Sequence, residues 1–472
     1  MNNISYLHNN LAFYAAQVFG EDNDFLPVIV RDIVGSCPFN RMESAFFSIM
    51  PVLSTYSSRL LLRYPYDNED SLPALHVYVI GDTSSGKGTL DGFQRLLAAP
   101  LKALDDANYE VEDDYDEAIK AKSSVQKAPP KPSTIVLCLP ASTSKYKILE
   151  RAKAVKRRYK DTALLFYSDT AEIDLVSQAY RTGFADIRSI VRLAYDFGAT
   201  YGAEHGGDGA KGRVDINMSL CYFGTFSAMV EFFDRNAILN GTLNRSIIVT
   251  LENNVGQPVY RYTPLTDEQL QEINHYLDVM LDTVFTDKAQ SDLQPLKVLH
   301  LEYLNPHIDV FFSYVRSRFS LFSTTDQWTI DTFSRRASVS AFRVAAVCNN
   351  LYTIEGKLDT NEIERRTTVI YNYAAYYILT GILNTFGNRI SGYRQYEEQL
   401  KAREEKMSLF DSLPKVFTLE NLIEICSKKG LVSKPTNRLS TWKSNGLIKK
   451  IGRDTYEKIL TLYTSDNTTT NH

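Results

Sequence analysis

The stretch Leu75-His76-Val77-Tyr78-Val79-Ile80-Gly81-Asp82-Thr83-Ser84-Ser85-Gly86-Lys87-Gly88-Thr89 decides how the rest of the chain is read. Its first six residues are an apolar run, and behind Thr89 an amphipathic pattern extends from Leu90 to Leu101. The order is strand, glycine loop, helix. Gly81, Gly86 and Lys87 stand at the spacing G-x-x-x-x-G-K. Glycines let backbone N–H groups turn inward around phosphate oxygens, the helix N-terminus adds the positive end of its dipole, and the lysine reaches the outer phosphates. Residues Gly81, Asp82, Thr83, Ser84, Ser85, Gly86, Lys87, Gly88 and Thr89 therefore read as a nucleotide-binding loop. A merely flexible strand-to-helix turn gives no reason for the lysine. The next position, normally a Ser or Thr that holds Mg²⁺, is Gly88, with Thr89 one place late. That departure bears on metal ligation, not on binding.

At 472 residues the chain is expected to form two or three domains. Net charge is −4, so any contact with nucleic acid must come from local basic patches. The five cysteines are scattered and odd in number, with no C-x-x-C, which argues for reduced thiols and against a zinc site. No signal-peptide pattern opens the sequence, and no apolar run of about 18 residues suggests a membrane span. A cytoplasmic protein without a membrane partner is expected.

Upstream of the loop, residues 1–70 carry apolar residues at helical spacing and read as a helical segment that packs on the adjoining domain. Residues 71–260 read as an α/β domain. Residues 105–132, acidic first and Lys/Pro-rich later, read as an exposed insertion. Thr134–Leu139 is a second strand, and Ser142–Tyr159 is a basic helix that is either a solvated face or a phosphate contact. Ala163–Tyr167 is a third strand, ending in the acidic run Asp169-Thr170-Ala171-Glu172-Ile173-Asp174. Carboxylates at the end of such a strand suit metal-assisted phosphoryl transfer: Asp169 for Mg²⁺, Glu172 for the attacking water. The same residues would equally serve a helix N-terminus. Gly198–Arg213, with His205, Lys211 and Arg213, is either a hairpin or a loose loop. Met218–Thr225 is a fourth strand, whose terminal hydroxyl could reach a γ-phosphate, and Ile247–Thr250 is a fifth. Strands separated by helical patterns imply a parallel sheet with the loop at a strand's carboxyl end.

From residue 261 to 400 the strand patterns stop and helical spacing takes over, with Arg335, Arg336 and Arg343 interrupting an apolar stretch. Residues 405–465 read as three short helices and a two-stranded wing, a winged helix. Lys434, Arg438, Lys443, Lys449, Lys450 and Arg453 give it a basic face for DNA, or it docks protein. Residues 466–472 read as a disordered polar tail.

Residues 25–390 resemble the helicase-like domains of bacterial plasmids, prophages and integrative elements. The resemblance rests on Ser85-Gly86-Lys87-Gly88, the acidic run Asp169–Asp174, Gly224-Thr225, and Arg336 with Phe342-Arg343. More distantly the layout is similar to AAA+ replicative helicases of the minichromosome-maintenance and superfamily-three type. The resemblance implies a P-loop NTPase sheet flanked by helices, with a helical lid. It implies ATP and Mg²⁺, with Thr89 and Asp169 as metal ligands, and leaves the division of labour among Asp169, Glu172 and Asp174 open. Thr225 would be a first sensor, Arg245 an arginine finger acting on the neighbouring subunit, Arg336 a second sensor on the lid. Gly198–Arg213 would fall near a DNA-touching hairpin. Implied partners are DNA, further copies in a ring such as a hexamer, and a separate primase or initiator. The function expected is an ATP-dependent DNA helicase or replication-initiation ATPase of a mobile element; the alternatives are a DNA-binding ATP switch without unwinding, or a catalytically weak scaffold.

Overall fold

Long apolar runs bounded by turn residues become the strands of a parallel sheet, and the helical patterns between them cover its faces. The computed structural model describes residues 4–20, 24–66, 69–123, 126–140, 143–159, 165–168, 171–172, 187–196, 200–203, 212–252, 261–285, 296–428, 435–444 and 446–459. The described strands are β1 (Leu60–Arg63), β2 (Asp70–Ser71), β3 (His76–Ile80), β4 (Cys138–Leu139), β5 (Leu165–Ser168), β6 (Ala171–Glu172), β7 (Thr200–Ala203), β8 (Gly212–Asp215), β9 (Asn217–Gly224), β10 (Ile247–Thr250), β11 (Lys297–Leu299), β12 (Val416–Thr418), β13 (Ile448–Lys450) and β14 (Thr455–Lys458).

The main sheet runs β10-β3-β9-β5-β4, with β6 also beside β9, and every pairing is parallel. Taking these five path strands in chain order, the spatial order is fifth, first, fourth, third, second. The chain therefore leaves β3 for the far edge and returns, so that the two strands added last flank the loop strand. All of β3 and all of β9 are buried, as continuous apolar strands in a doubly covered sheet should be. The Phe39–Tyr56 helix packs against β3, β9 and the Lys87–Ala121 helix. The Thr360–Asp411 helix comes so close to β10 that a Cβ on Gly381 would stand 2.7 Å from the Ile248 carbonyl oxygen.

Three expectations change. Residues 105–121 are exposed over most of their length, as expected, but they are not a loose insertion: the loop helix continues through them as one helix of 35 residues, Lys87–Ala121. The buried Asp105 carboxylate accepts the Leu137 and Cys138 N–H groups at 2.7 and 2.6 Å, which seats the segment before β4. Its burial pushes the carboxyl up to about 6 against the pull of those donors. Further along, Glu112 takes Arg151 in a two-pronged pair, one prong at 2.8 Å, and Thr134 donates to the same carboxylate. The basic helix, Lys145–Arg158, is thus partly an internal one; Lys147 also meets Glu150 at 3.1 Å and Lys156 meets Asp215 at 2.6 Å. Secondly, the second strand is short: only Cys138–Leu139 of the expected Thr134–Leu139 is strand. Thirdly, strands do not stop at residue 260, nor is the N-terminal region wholly helical. β11 pairs in parallel with β1, which pairs antiparallel with β2.

The chain divides into two compact units, Met1–Ser391 and Gly392–His472. In the second, β12 and β13 both pair antiparallel with β14, and the helices Leu419–Lys428 and Pro435–Ser444 pack with them. Leu409, Phe417, Leu422, Cys426, Trp442 and Ile448 form its core. β12 is an addition to the expected two-stranded wing.

All five cysteines are buried and unbridged. Burial pushes the Cys37 thiol up to about 12 and raises Cys221 and Cys348 as well. His76, in β3, is also buried; its Nε2 lies 2.8 Å from the Met218 carbonyl, and burial lowers it to about 3, so it stays neutral and donates. No described helix is long and apolar enough to cross a membrane.

Candidate functional site

The loop leaves β3 at Gly81, whose N–H donates to the Gly224 carbonyl at the end of β9 at 3.0 Å. A Cβ on Gly81 would collide with the Ser85 hydroxyl, so this glycine is required by close approach. The loop closes on itself through Ser85 N–H to the Asp82 carbonyl at 3.2 Å. Ser84 has φ +66°, and Gly86 has φ +91° and caps the Lys87–Ala121 helix from the left-handed region. A side chain at φ +91° is strained, and glycine is not. No side chain caps this helix end, so its first N–H groups are left for solvent or an anion. The Lys87 ammonium donates to the Gly81 carbonyl at 2.8 Å, folding the lysine back over the loop. The buried Ser85 hydroxyl finds no partner among the described residues. Gly88 is exposed, and a Cβ there would meet nothing within 4 Å. Its bareness is not imposed by crowding.

Two other elements end beside the loop. Thr225 follows Gly224 directly, and its hydroxyl accepts the Ala228 N–H at 3.3 Å, capping the Phe226–Phe232 helix. Glu172 pairs in register with Phe223, one residue short of the end of β9. The loop, Thr225 and the Glu172 backbone thus share the carboxyl edge of the sheet, where open α/β sheets hold ligands. Asp169 and Asp174 lie outside the described residues. Tyr262 was not singled out by sequence: its hydroxyl would lie 3.7 Å from a Cβ on Gly86, its ring is 6.4 Å from that of Phe93, and the Thr263 N–H anchors the segment to the Ser36 carbonyl at 2.8 Å. A lone tyrosine after a strand carries no signal that could have found it.

Among the described residues, no group of three or more His, Cys, Asp or Glu side chains could hold a metal ion. Mg²⁺ rarely needs one: it takes one or two protein oxygens and completes its octahedron with phosphates and waters. The Thr89 hydroxyl in the first turn of the loop helix fits that modest demand.

Arg245 and Arg336 are brought together, but not to this loop. Arg245 stands two residues before Ile247, where β10 begins, at the amino edge of the sheet, and grips Asp196 through Nη2 at 2.6 Å and Nε at 3.1 Å. The Arg336 guanidinium lies 3.6 Å from the same carboxylate. Arg343 is buried, donates to the Ala74 and Tyr195 carbonyls at 2.9 and 3.0 Å, and stacks 3.8 Å over the Tyr195 ring. Burial lowers its pKa. Ala74 precedes the loop by seven extended residues, so the cluster is roughly 20 Å from Gly81 at ~3.3 Å per residue. Arg336 does not reach its own chain's loop. Beside the cluster opens a cavity of about 630 Å³, lined by Tyr64, Tyr66, Asp196, Phe312, Arg316, Arg335, Arg336 and Arg343 among others. Asp196, which holds both arginines, was missed because nothing marks one acid after a helix.

Of the expected DNA contacts, Arg213 is exposed on β8, which forms with β7 an antiparallel hairpin; a loose loop is excluded for those strands. His205, Lys211 and Lys434 lie outside the described residues. In the second unit Lys443, Lys450 and Arg453 are exposed, Arg438 is half-buried, and Lys449 meets Glu457 at 2.8 Å. Lys449 and Lys450 are successive strand residues and so point to opposite faces. Neither a protein-family model nor the sequence of a curated protein matches the chain.

Proposed function

We propose that the chain is an AAA+-like P-loop ATPase with a C-terminal winged helix, working on DNA as a ring-forming helicase or replication initiator of a mobile element. The observation that carries this is the sheet edge: the loop strand lies inside the sheet between β10 and β9, the Gly81–Lys87 loop follows it, and the ends of β9 and β6 bring Thr225 and the Glu172 backbone alongside. ATP would be held by the loop amides and by Lys87, which would exchange the Gly81 carbonyl for β- and γ-phosphate oxygens. Mg²⁺ supplies charge neutralisation when bound, with Thr89 and Asp169 as its protein ligands. Glu172 or Asp174 would orient the attacking water, and Thr225 would sense the γ-phosphate. The cluster of Arg245 and Arg336 at the opposite sheet edge suits a role toward the nucleotide of a neighbouring copy, once Asp196 lets go. The order of helices and the β12-β14-β13 sheet support a winged helix in the second unit.

A second reading has its own support. Arg245 is held within its own chain, and Gly88 offers no hydroxyl, which suits a slow ATP switch that assembles on DNA without unwinding it. ATP hydrolysis by wild type, Lys87→Ala and Arg245→Ala, alone and mixed, with and without single-stranded DNA, separates the two. A motor gives DNA-stimulated turnover that each variant loses and that mixing partly restores to Arg245→Ala. Tight nucleotide binding without turnover identifies the switch. Undiminished hydrolysis by purified Lys87→Ala would sink both.

A further inference from the structure

The cavity beside the arginine cluster adjoins a second, more open recess, and the two share Arg316 and Arg335 as lining residues. The join is made by one helix, Thr324–Glu355. Trp328, Asp331, Thr332, Arg335 and Val339 lie along it at i, i+3, i+4, i+7 and i+11, which is one face. Trp328 lines the outer recess and is 47% exposed. At the inner end a row of rings faces the cavity: Tyr64 and Tyr66 are 6.1 Å apart, Tyr66 and Phe312 5.2 Å, and the Arg316 guanidinium lies 5.5 Å from the Phe312 centroid. Tyr66 is 56% exposed.

Between these rings sit the cations. Asp331 stands 2.9 Å from both Arg316 and Arg335, so the three carry one net positive charge, and the acid fixes the direction of both guanidiniums. Arg316 and Arg335 stay 47% and 65% exposed. The inner cavity has four guanidiniums (Arg316, Arg335, Arg336, Arg343) against three carboxylates (Glu69, Asp70, Asp196). Two of those carboxylates are already taken by arginines outside its wall, Asp70 by Arg63 and Asp196 by Arg245. What remains is a groove of alternating rings and cations. From Trp328 to Val339 alone it follows roughly 17 Å of helix, which is longer than one nucleotide.

We propose that this groove binds single-stranded nucleic acid, with bases stacked on Trp328 and Tyr66 and phosphates held by Arg316 and Arg335. Stacking on rings along a cationic track needs no base sequence, because every base has a π-face. The assignment does not depend on the loop binding nucleotide, and it is separate from the hairpin and the second unit, where other DNA contacts are proposed.

The chain holds only two tryptophans, Trp328 and the buried Trp442. The full-length protein, without nucleotide, is titrated with a thymidine oligomer of about twelve residues at fixed salt. Tryptophan emission reads the site and the anisotropy of a labelled oligomer reads affinity. A saturable quench is expected, retained in Trp442→Phe and absent in Trp328→Phe. Trp328→Ala should weaken binding by on the order of tenfold, within the range measured for base–aromatic stacking. Arg335→Ala should lower the slope of log affinity against log salt by about 0.7, one phosphate contact on a single strand, and Arg335→Lys should restore it. Each variant is first checked for an unchanged melting curve; both side chains are substantially exposed. No quench in wild type, or unchanged affinity in both Trp328→Ala and Arg335→Ala, overturns the proposal. So does poly-glutamate competing as well as the oligomer, which would assign the groove to an acidic peptide.

Discussion

Substituting Gly88 by serine adds, at the loop, the hydroxyl that most phosphate loops carry after their lysine. The structure allows it without cost: Gly88 is the second residue of the Lys87–Ala121 helix, it is exposed, and its Cβ would meet nothing within 4 Å. Glycine in a helix is worse than alanine by about 0.8–1.0 kcal/mol and serine by about half of that, so the exchange should stabilise the nucleotide-free chain by roughly 0.5 kcal/mol. In a unit this large that raises the melting temperature by about 1 °C. The larger effect should appear with metal. A new hydroxyl within reach of Mg²⁺ should add on the order of 1.5 kcal/mol, the low end for a polar group meeting a charge, or about tenfold in the Mg²⁺-dependent part of ADP affinity. Titration calorimetry with ADP, with Mg²⁺ and with EDTA, reads this directly. Thr89→Ala should lose the Mg²⁺-dependent part, and Gly88→Ser in that background should restore it. A Gly88→Ser protein that melts normally yet no longer binds ADP would refute the reasoning: the bare position would then be needed for close approach of the phosphates.

Other perturbations test the frame that holds the loop. Gly381→Ala places a methyl group 2.7 Å from the Ile248 carbonyl oxygen; backbone on backbone cannot easily yield, so a loss of about 1–3 kcal/mol is expected in urea unfolding. Arg151→Met leaves Glu112, which the guanidinium holds down at about 2, without its cation; since Glu112 is partly open to water, a loss of about 1–3 kcal/mol is expected, and more than about 4 would contradict that screening. Burial pushes the Glu355 carboxyl up to about 7 while it accepts the Val28 N–H at 2.6 Å. The folded state therefore holds more protons than the unfolded one between about pH 4.5 and 7, so this group's contribution to stability declines as pH rises through that window and levels off above it. Glu355→Gln, which can still accept the Val28 N–H, should remove on the order of 3 kcal/mol of that decline; an unchanged pH profile would show the carboxyl to be ordinary.

The loop is legible because each of its features is local. An apolar run makes β3, Gly86 takes a φ open to glycine, and Lys87 sits at a fixed offset. What the sequence conceals is long-range. The acidic run after Asp105 looks like a solvated insertion by composition, but Asp105 and Glu112 spend their charges on groups 32 to 39 residues away, and no periodicity records such a pairing. β11 is invisible for the same reason: three residues gain strand geometry only by lying beside Leu60–Leu62. Arg245 and Arg336 stand out in the sequence, but their shared tie to Asp196 does not, since their meeting depends on the sheet order and not on spacing. The arginine-rich stretch of the Thr324–Glu355 helix reads as one cluster, and folding divides it: Arg343 is buried against backbone carbonyls, while Arg335 stays at the surface.

The burial of every thiol makes each cysteine a clock. A thiol shielded from solvent reacts with an alkylating reagent only when its surroundings open. Cys37, Cys138, Cys221 and Cys348 lie in the first unit and Cys426 in the second. The rate at which each is modified in the native protein, read by mass spectrometry, therefore times the opening of its own neighbourhood. Cys138 follows Leu137 on the segment that Asp105 anchors, and Cys221 lies mid-strand in β9, one strand from the loop. If nucleotide slows the modification of Cys221 and leaves Cys426 unchanged, ligand binding has tightened the sheet alone; a common slowing of both would mean that the two units lose their structure in one event.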